Sequence, residues 1–385
     1  MLRPSVQLPA GTTDGAGYTD FDRHCKGKPC KSAVSGHDWG GRKGRLLDIK
    51  PDRGVFRPHF MISGAQMTVA FTFPGQGSQS VGMGKALADA FPPARAVFDE
   101  VDAALGEKLS STVWEGPAET LQLTENAQPA LMAVSLATLR VLEGEAGVSV
   151  AQDAAFVAGH SLGEYSALAA AGSLSISDTA RLLRTRGLAM QKAVPVGVGA
   201  MAALLGLDYE AAVAVAQEAS QNDVCQAAND NGGGQVVVSG DKAAVERAIE
   251  IAKSKGAKRA MLLPVSAPFH CRLMQPAAEV MAKALSDVTV NRPVVPLVSN
   301  VLAAPISDPE EIRKRLVEQV TGTVRWRESV AYMAGQGVTH FLEIGAGKVL
   351  SGLVKRIADG AVGVAIGGPN DIAAAKDALA AARQA

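Results

Sequence analysis

Ala154-Ala155-Phe156-Val157-Ala158-Gly159-His160-Ser161-Leu162-Gly163-Glu164 is the stretch whose reading decides the fold. The apolar, strand-like run Ala154–Ala158 leads into G-x-S-x-G at Gly159–Gly163, and a proline-free, alanine-rich helical run, Glu164–Ala171, follows. Strand, tight turn and helix form the context of a nucleophile elbow. There the glycines let the backbone fold sharply enough to lift a serine hydroxyl clear of the sheet. The pentapeptide alone is weak evidence, because Gly, Ser and Ala are common in this chain, and an ordinary glycine-rich turn is the competing reading. Its flanks favour an activated Ser161.

Outward from the elbow the pattern alternates between strand and helix. Val69–Phe73 reads as a strand followed by the loop Pro74–Gln79, with helical stretches near 82–105, 126–143 and 178–192. Val294–Ser299 and Thr339–Ile344 read as buried strands, and Gly345-Ala346-Gly347-Lys348 turns the chain into another helix. That turn lacks the spacing of a P-loop and a Ser or Thr after the lysine, so it is read as structural. Between about 199 and 264 the rhythm changes. Strands at 200–205, 224–228, 235–239 and 259–264, with helices at 209–220 and 242–255, give β-α-β-β-α-β, the ferredoxin-like split motif. The expected fold is α/β: a hydrolase-like large domain with a parallel sheet (residues 67–198 and 265–385) and an inserted ferredoxin-like subdomain (199–264). The cleft between them is a natural place for a ligand.

Residues 1–66 read differently. They hold 11 Lys/Arg against 6 Asp/Glu with no sustained periodicity, and are expected to form a disordered N-terminal extension, with translation beginning at Met67. His24, Cys25, Cys30 and His37 fit no common zinc finger, so no metal site is assigned. Over the whole chain 38 basic residues balance 38 acidic ones, which gives no sign of a nucleic-acid or membrane partner. No apolar run reaches the roughly 18 residues of a membrane span, and no secretory signal opens the chain. Four irregularly spaced cysteines make no disulfide framework, so a reduced, cytoplasmic protein is expected.

A serine hydroxyl needs a neighbouring base. Beyond residue 66 the histidines are His160, His270 and His340. His160 directly precedes Ser161 and should point the other way, while His340 opens a strand. His270 follows the proline-bracketed loop Pro264–Phe269 and is the preferred base, against a purely structural histidine. Gln76, in a glycine-flanked loop after the first strand, and Leu162, after the nucleophile, could supply oxyanion N–H groups; a plain turn at Gln76 is the alternative. On the helix near 178–192, a period of about 100° per residue places Arg186 with Leu182, Leu183, Ala189 and Met190, facing inward. A buried guanidinium needs an anionic partner, either an internal Asp or Glu or a carboxylate on the substrate.

Val69–Gln79 (VAFTFPGQGSQ), Gly159–Tyr165 (GHSLGEY), the arginine-bearing helix and Phe269-His270-Cys271 resemble the bacterial malonyl-CoA:acyl carrier protein transacylases, from about Met67 almost to the C-terminus. The same fold serves as the acyltransferase domain of fatty acid and polyketide synthases. The resemblance implies Ser161 as nucleophile, His270 as base, Gln319 as the residue orienting the histidine in place of an aspartate, and Gln76 and Leu162 as oxyanion donors. Arg186 would hold a malonyl carboxylate, and Phe269 would crowd an α-methyl group. It further implies transfer of malonyl from malonyl-CoA to the phosphopantetheine thiol of holo acyl carrier protein, supplying fatty acid synthesis, with no metal or cofactor and as a monomer. A serine esterase or thioesterase using the same elbow is the rival enzyme, and a non-catalytic carrier-binding scaffold the rival of another class. The chain departs from the family at Ala346, where a proline is expected, and in the loop Asn229–Gly234, which leaves open which asparagine faces the site.

Overall fold

The computed structural model describes residues 68–383. Expectations placed on residues 1–66, on Met67 and on His24, Cys25, Cys30 and His37 lie outside the described residues. Ten strands follow one another along the described chain. They are β1 (Val69–Phe73), β2 (Phe156–Gly159), β3 (Gly199–Leu205), β4 (Cys225–Asp230), β5 (Gln235–Asp241), β6 (Arg259–Leu262), β7 (Leu297–Val298), β8 (Pro305–Ile306), β9 (His340–Ile344) and β10 (Val362–Ile366).

Six of them form one sheet in the order β10-β9-β1-β2-β7-β8, parallel except for the last pair. All five residues of β1 are buried, because both faces are covered. Val69, Phe71 and Phe73 alternate onto one face, where the long helix Thr124–Ala146 contributes Leu131, Val134 and Leu142 to the same core. Ala70, Ala158, Val298 and Phe341 turn to the other face and pack on Trp326, Val330, Met333 and Leu353. Each fully buried Phe or Leu in these layers is worth about 1.5–3 kcal/mol.

From β1 the chain moves to β2 on one side and returns much later to β9 on the other, so the strand order reverses beside β1. Ligands of open α/β sheets bind outside the carboxyl ends of the strands at such a reversal. There β1 runs into Pro74–Gln79, β2 into the elbow, and β7 into Ser299-Asn300.

Two readings of the sequence are corrected. The stretch 82–105 is not one helix: Lys85–Ala90 and Pro92–Leu105 are separated by Phe91, which is extended (φ −130°, ψ 114°) because it precedes a proline. Within Val294–Ser299 only Leu297–Val298 pair as strand, since Pro293 and Pro296 carry no N–H for a ladder.

Strands β3–β6, with helices Tyr209–Ser220 and Lys242–Ser254, form an antiparallel sheet in the order β4-β5-β3-β6 around a core of its own (Leu204, Val215, Val238, Val245). A short seam ties it to the large sheet's side of the molecule. Val324 accepts from the Asp230 N–H at 2.9 Å and donates to the Ala228 carbonyl at 2.8 Å. Beside it, Arg327 Nε bonds buried Asp230 Oδ2 at 2.7 Å. No helix of the described residues is long and apolar enough to cross a membrane.

Candidate active site

Ser161 sits between β2 and the helix Gly163–Ala170 with φ +54°, in the left-handed region that β-carbon sterics disfavour. The turn is held open for it by its two glycines. A Cβ on Gly159 would lie 1.9 Å from the Gly163 carbonyl, and one on Gly163 would lie 2.3 Å from the Phe73 oxygen. Main-chain bonds fix the serine itself. Its N–H donates to Asn300 Oδ1 at 2.8 Å, its carbonyl accepts from Gln319 Nε2 at 2.9 Å, and Asn300 Nδ2 donates to the Gly159 carbonyl at 2.7 Å.

His270 lies 109 residues downstream, also at positive φ (+58°), and its Nε2 is 2.7 Å from Ser161 Oγ. Strain of this kind costs about 1–3 kcal/mol per residue and persists only where the surroundings impose it. The other ring nitrogen, Nδ1, faces the carbonyls of Gln319 (2.9 Å) and Gly322 (3.2 Å). Carbonyls only accept, so Nδ1 carries the proton and Nε2 presents its lone pair to the hydroxyl. Burial first, and the Arg186 charge second, push the imidazole down to about 3, so it is neutral across the physiological range.

Arg186, on the helix Ile176–Ala193, is 1% exposed. Its Nη1 donates to Gln128 Oε1 (2.7 Å), and its Nη2 donates to Gln319 Oε1 (2.8 Å) and Ser161 Oγ (3.1 Å). All three acceptors are neutral, and Nε has no partner among the described residues. The internal Asp or Glu that a buried guanidinium could have used is therefore not in contact with it. Helix and arginine come this close because the following residue is Gly187, where a Cβ would meet the Glu125 backbone at 2.4 Å.

Gln76 contributes a side chain as well as an N–H: its Oε1 accepts from Thr124 Oγ1 (2.8 Å), Thr124 Oγ1 accepts from Gln128 Nε2 (2.8 Å), and Gln128 holds Arg186. Neither the Gln76 nor the Leu162 backbone N–H donates to a protein acceptor among the described residues, which leaves both donors available. Phe269 is buried in the main core immediately before His270. His160 turns its ring away from Ser161 and bonds Asn231 Oδ1 at 2.9 Å; burial lowers its basicity against that hydrogen bond. Asn231 is thus the residue of the loop Asn229–Gly234 that reaches the elbow. His340 stands at the amino end of β9, at the opposite end of the strands, bonded to Thr339.

Ser161, His270, Arg186, Gln319, Gln76 and Leu162 are brought together; Gln128, Asn300 and Glu164 are participants the sequence reading left unassigned. Their signals are weak ones: Gln128 is a polar residue in the buried run of the helix Thr124–Ala146, and Asn300 stands just past the carboxyl end of a strand. Among the described residues no group of three or more His, Cys, Asp or Glu is placed to hold a metal ion. Serine, neutral imidazole and two free N–H groups compose acyl-transfer chemistry, and the buried cation beside them suits an acyl chain that ends in a carboxylate.

Comparison with known proteins agrees with this chemistry. Residues 70–366 match the acyl transferase domain model. The chain is 48% identical over 306 residues to the malonyl CoA-acyl carrier protein transacylase of Escherichia coli (strain K12), covering 80% of this chain and 98% of that protein. The acyl-carrier-protein-S-malonyltransferase of Bartonella henselae superposes with a TM-score of 0.80 at 57% identity, over 82% of this chain and all of that one. A malonyl-transacylase solved in complex with a type II PKS acyl-carrier protein in its holo form gives a TM-score of 0.77 at 43% identity, covering 80% and 99% of the two chains.

Proposed function

The chain belongs to the acyl transferase domain family, and from that premise we propose that it moves a malonyl group from malonyl-CoA to the phosphopantetheine thiol of holo acyl carrier protein through a malonyl-Ser161 ester, supplying fatty acid synthesis. The observation that carries this reading is Arg186: a buried cation 3.1 Å from the nucleophile, bonded only to neutral acceptors. A carboxylate two carbons from a thioester carbonyl can reach it while the carbonyl lies at Ser161.

In the first half-reaction Ser161 Oγ attacks the thioester carbon as its proton passes to His270 Nε2. The oxyanion is held by the Gln76 and Leu162 N–H groups, each such donor typically worth about 3–4 kcal/mol of barrier. The carbon–sulfur bond then breaks, CoA departs with the proton from His270, and the serine ester remains. In the second, the carrier thiol gives its proton to His270 and its sulfur attacks the ester; the carbon–oxygen bond breaks and Ser161 regains its proton. Because the Arg186 charge is one cause of the depressed basicity of His270, a malonyl carboxylate on Arg186 offsets it and makes the base stronger when substrate is bound. The carbonyl of Gln319 orients the imidazole, and Phe269 crowds an α-methyl branch. The enzyme works as a cytoplasmic monomer without metal or prosthetic group.

Intact-protein mass after brief exposure to malonyl-CoA or acetyl-CoA tests the reading. A malonyl adduct absent in Ser161→Ala and discharged by holo carrier protein is expected. Free CoA released without an adduct or acceptor makes water the acceptor and the protein a thioesterase, and neither adduct nor release refutes acyl transfer altogether.

A further inference from the structure

Glu164 follows the elbow directly and is completely buried. Its Oε2 accepts from Gln319 Nε2 at 2.6 Å, and its Oε1 from the Asn300 N–H at 3.3 Å. Nothing in the transfer mechanism uses it, yet it is the carboxylate bound to the same amide that bonds Arg186. Gln319 Nε2 serves Glu164 and the Ser161 carbonyl, both acceptors, so its Oε1 must face the guanidinium. Were the amide turned over, an NH₂ would confront Arg186 and an oxygen would confront the carboxylate, donor against donor and acceptor against acceptor.

We propose that Glu164 is a positioning residue for substrate choice: it fixes the orientation of the Gln319 amide, and through it aims Arg186, while standing one residue too far away to form the ion pair itself. The inference rests on the malonyl-transfer reading. A carboxylate in direct contact would satisfy the arginine and compete with the substrate's carboxylate. Held behind an amide, Glu164 leaves the guanidinium ionised, oriented and without an anionic partner until substrate arrives. Gln319 thereby acts through both main chain and side chain, its carbonyl on His270 and its amide on Arg186, Glu164 and the Ser161 carbonyl. Burial, partly offset by the hydrogen bonds from Gln319 and Asn300, raises the Glu164 carboxyl to about 7, so the arrangement is costly to keep charged.

The test compares kcat/KM for malonyl-CoA and for acetyl-CoA, whose acyl chain has no carboxylate to be aimed at. In Glu164→Gln the new amide both donates and accepts, so the charged acceptor that anchors the Gln319 NH₂ is lost and the Ser161 carbonyl alone is left to hold that end of the amide. The malonyl-to-acetyl ratio should fall by at least ~10-fold, chiefly through KM for malonyl-CoA, while acetyl turnover reports an intact fold. Gln319→Leu deletes the bridge, leaves the carboxylate and also frees the Ser161 carbonyl, so both rates should drop; the malonyl-to-acetyl ratio should reach the same floor, and the double variant should lower that ratio no further, as expected of residues acting as a unit. Equal losses on both substrates would reduce Glu164 to a structural role, and a lower malonyl KM in Glu164→Gln would mean that it acts only by repelling the substrate. Either result overturns the proposal, as does an unchanged ratio in Gln319→Leu. If the parent enzyme forms no malonyl-serine, the proposed function fails as well, a result distinct from a parent that acylates and variants that keep its selectivity.

Discussion

Replacing Arg186 by alanine removes a buried cation together with the donors to Gln128 Oε1, Gln319 Oε1 and Ser161 Oγ. For malonyl-CoA the loss is that of a desolvated partner to a carboxylate, about 3–5 kcal/mol, which converts to a fall in kcat/KM of roughly 10²–10⁴-fold. For acetyl-CoA no such pairing existed, and the parent enzyme already bears a cation left without an anion, so acetyl transfer should change far less. The two stranded amide oxygens, at about 1–3 kcal/mol each, will lower stability, so Arg186→Lys is measured alongside. Lysine keeps the charge as a single point and cannot bond Gln128, Gln319 and a carboxylate at once, so it should recover fold and only part of the malonyl rate. The assay is initial-rate acylation with each thioester, with thermal unfolding as the control. If malonyl and acetyl rates drop by the same factor in both variants, Arg186 is scaffold and the assignment of the substrate's carboxylate to it is refuted.

The acid limb of stability should trace His270. Its folded value, about 3, lies below the ordinary 6.5, so the unfolded chain binds the proton first as pH falls. The stability it lends is complete above pH 6.5 and disappears towards pH 3, on the order of 4–5 kcal/mol if followed all the way. Glu164, raised from 4.5 to about 7, contributes in the opposite sense, its stabilisation being full below pH 4.5 and lost as pH rises towards 7. In urea titrations between pH 6.5 and 4, His270→Gln should therefore decline less steeply than the parent, and parallel curves would contradict a buried neutral imidazole. Gly159→Ala should cost more than the roughly 1–3 kcal/mol of ordinary overpacking, since its Cβ meets main chain that cannot move aside. An unchanged Tm with full acylation would disprove the packing described for the elbow.

Local pattern carried much of the architecture. The helix Tyr209–Ser220 was legible to the residue, and β3–β6 followed from alternation between β-rich runs and amphipathic stretches, because each element is short and ends at a turn signal. The inward turn of Arg186 was legible from period alone, whereas its surroundings were not. Gln128, Asn300 and Glu164 reach the elbow from a buried helix, a strand end and the elbow helix, and no local rule says that three polar groups so placed will meet. The break at Phe91 and the two-residue β7 show the reverse, where prolines outweighed an apolar run that read as continuous.

In the proposed mechanism the third partner of Ser161 and His270 is not a side chain. His270 Nδ1 is held by the carbonyls of Gln319 and Gly322, and every residue at those positions would offer the same oxygen. A conventional triad can lose its acid to one codon change, but here that function is written into the main chain. Point mutation can reach it only by displacing the backbone. At Gly322 that route exists, since a Cβ there would stand 2.9 Å from the Glu318 oxygen and from Val301. On the proposed mechanism, a change of side chain at position 319 leaves the oxygen that receives the imidazole proton in place, and acts instead on the groups its amide bonds, Arg186, Glu164 and the Ser161 carbonyl.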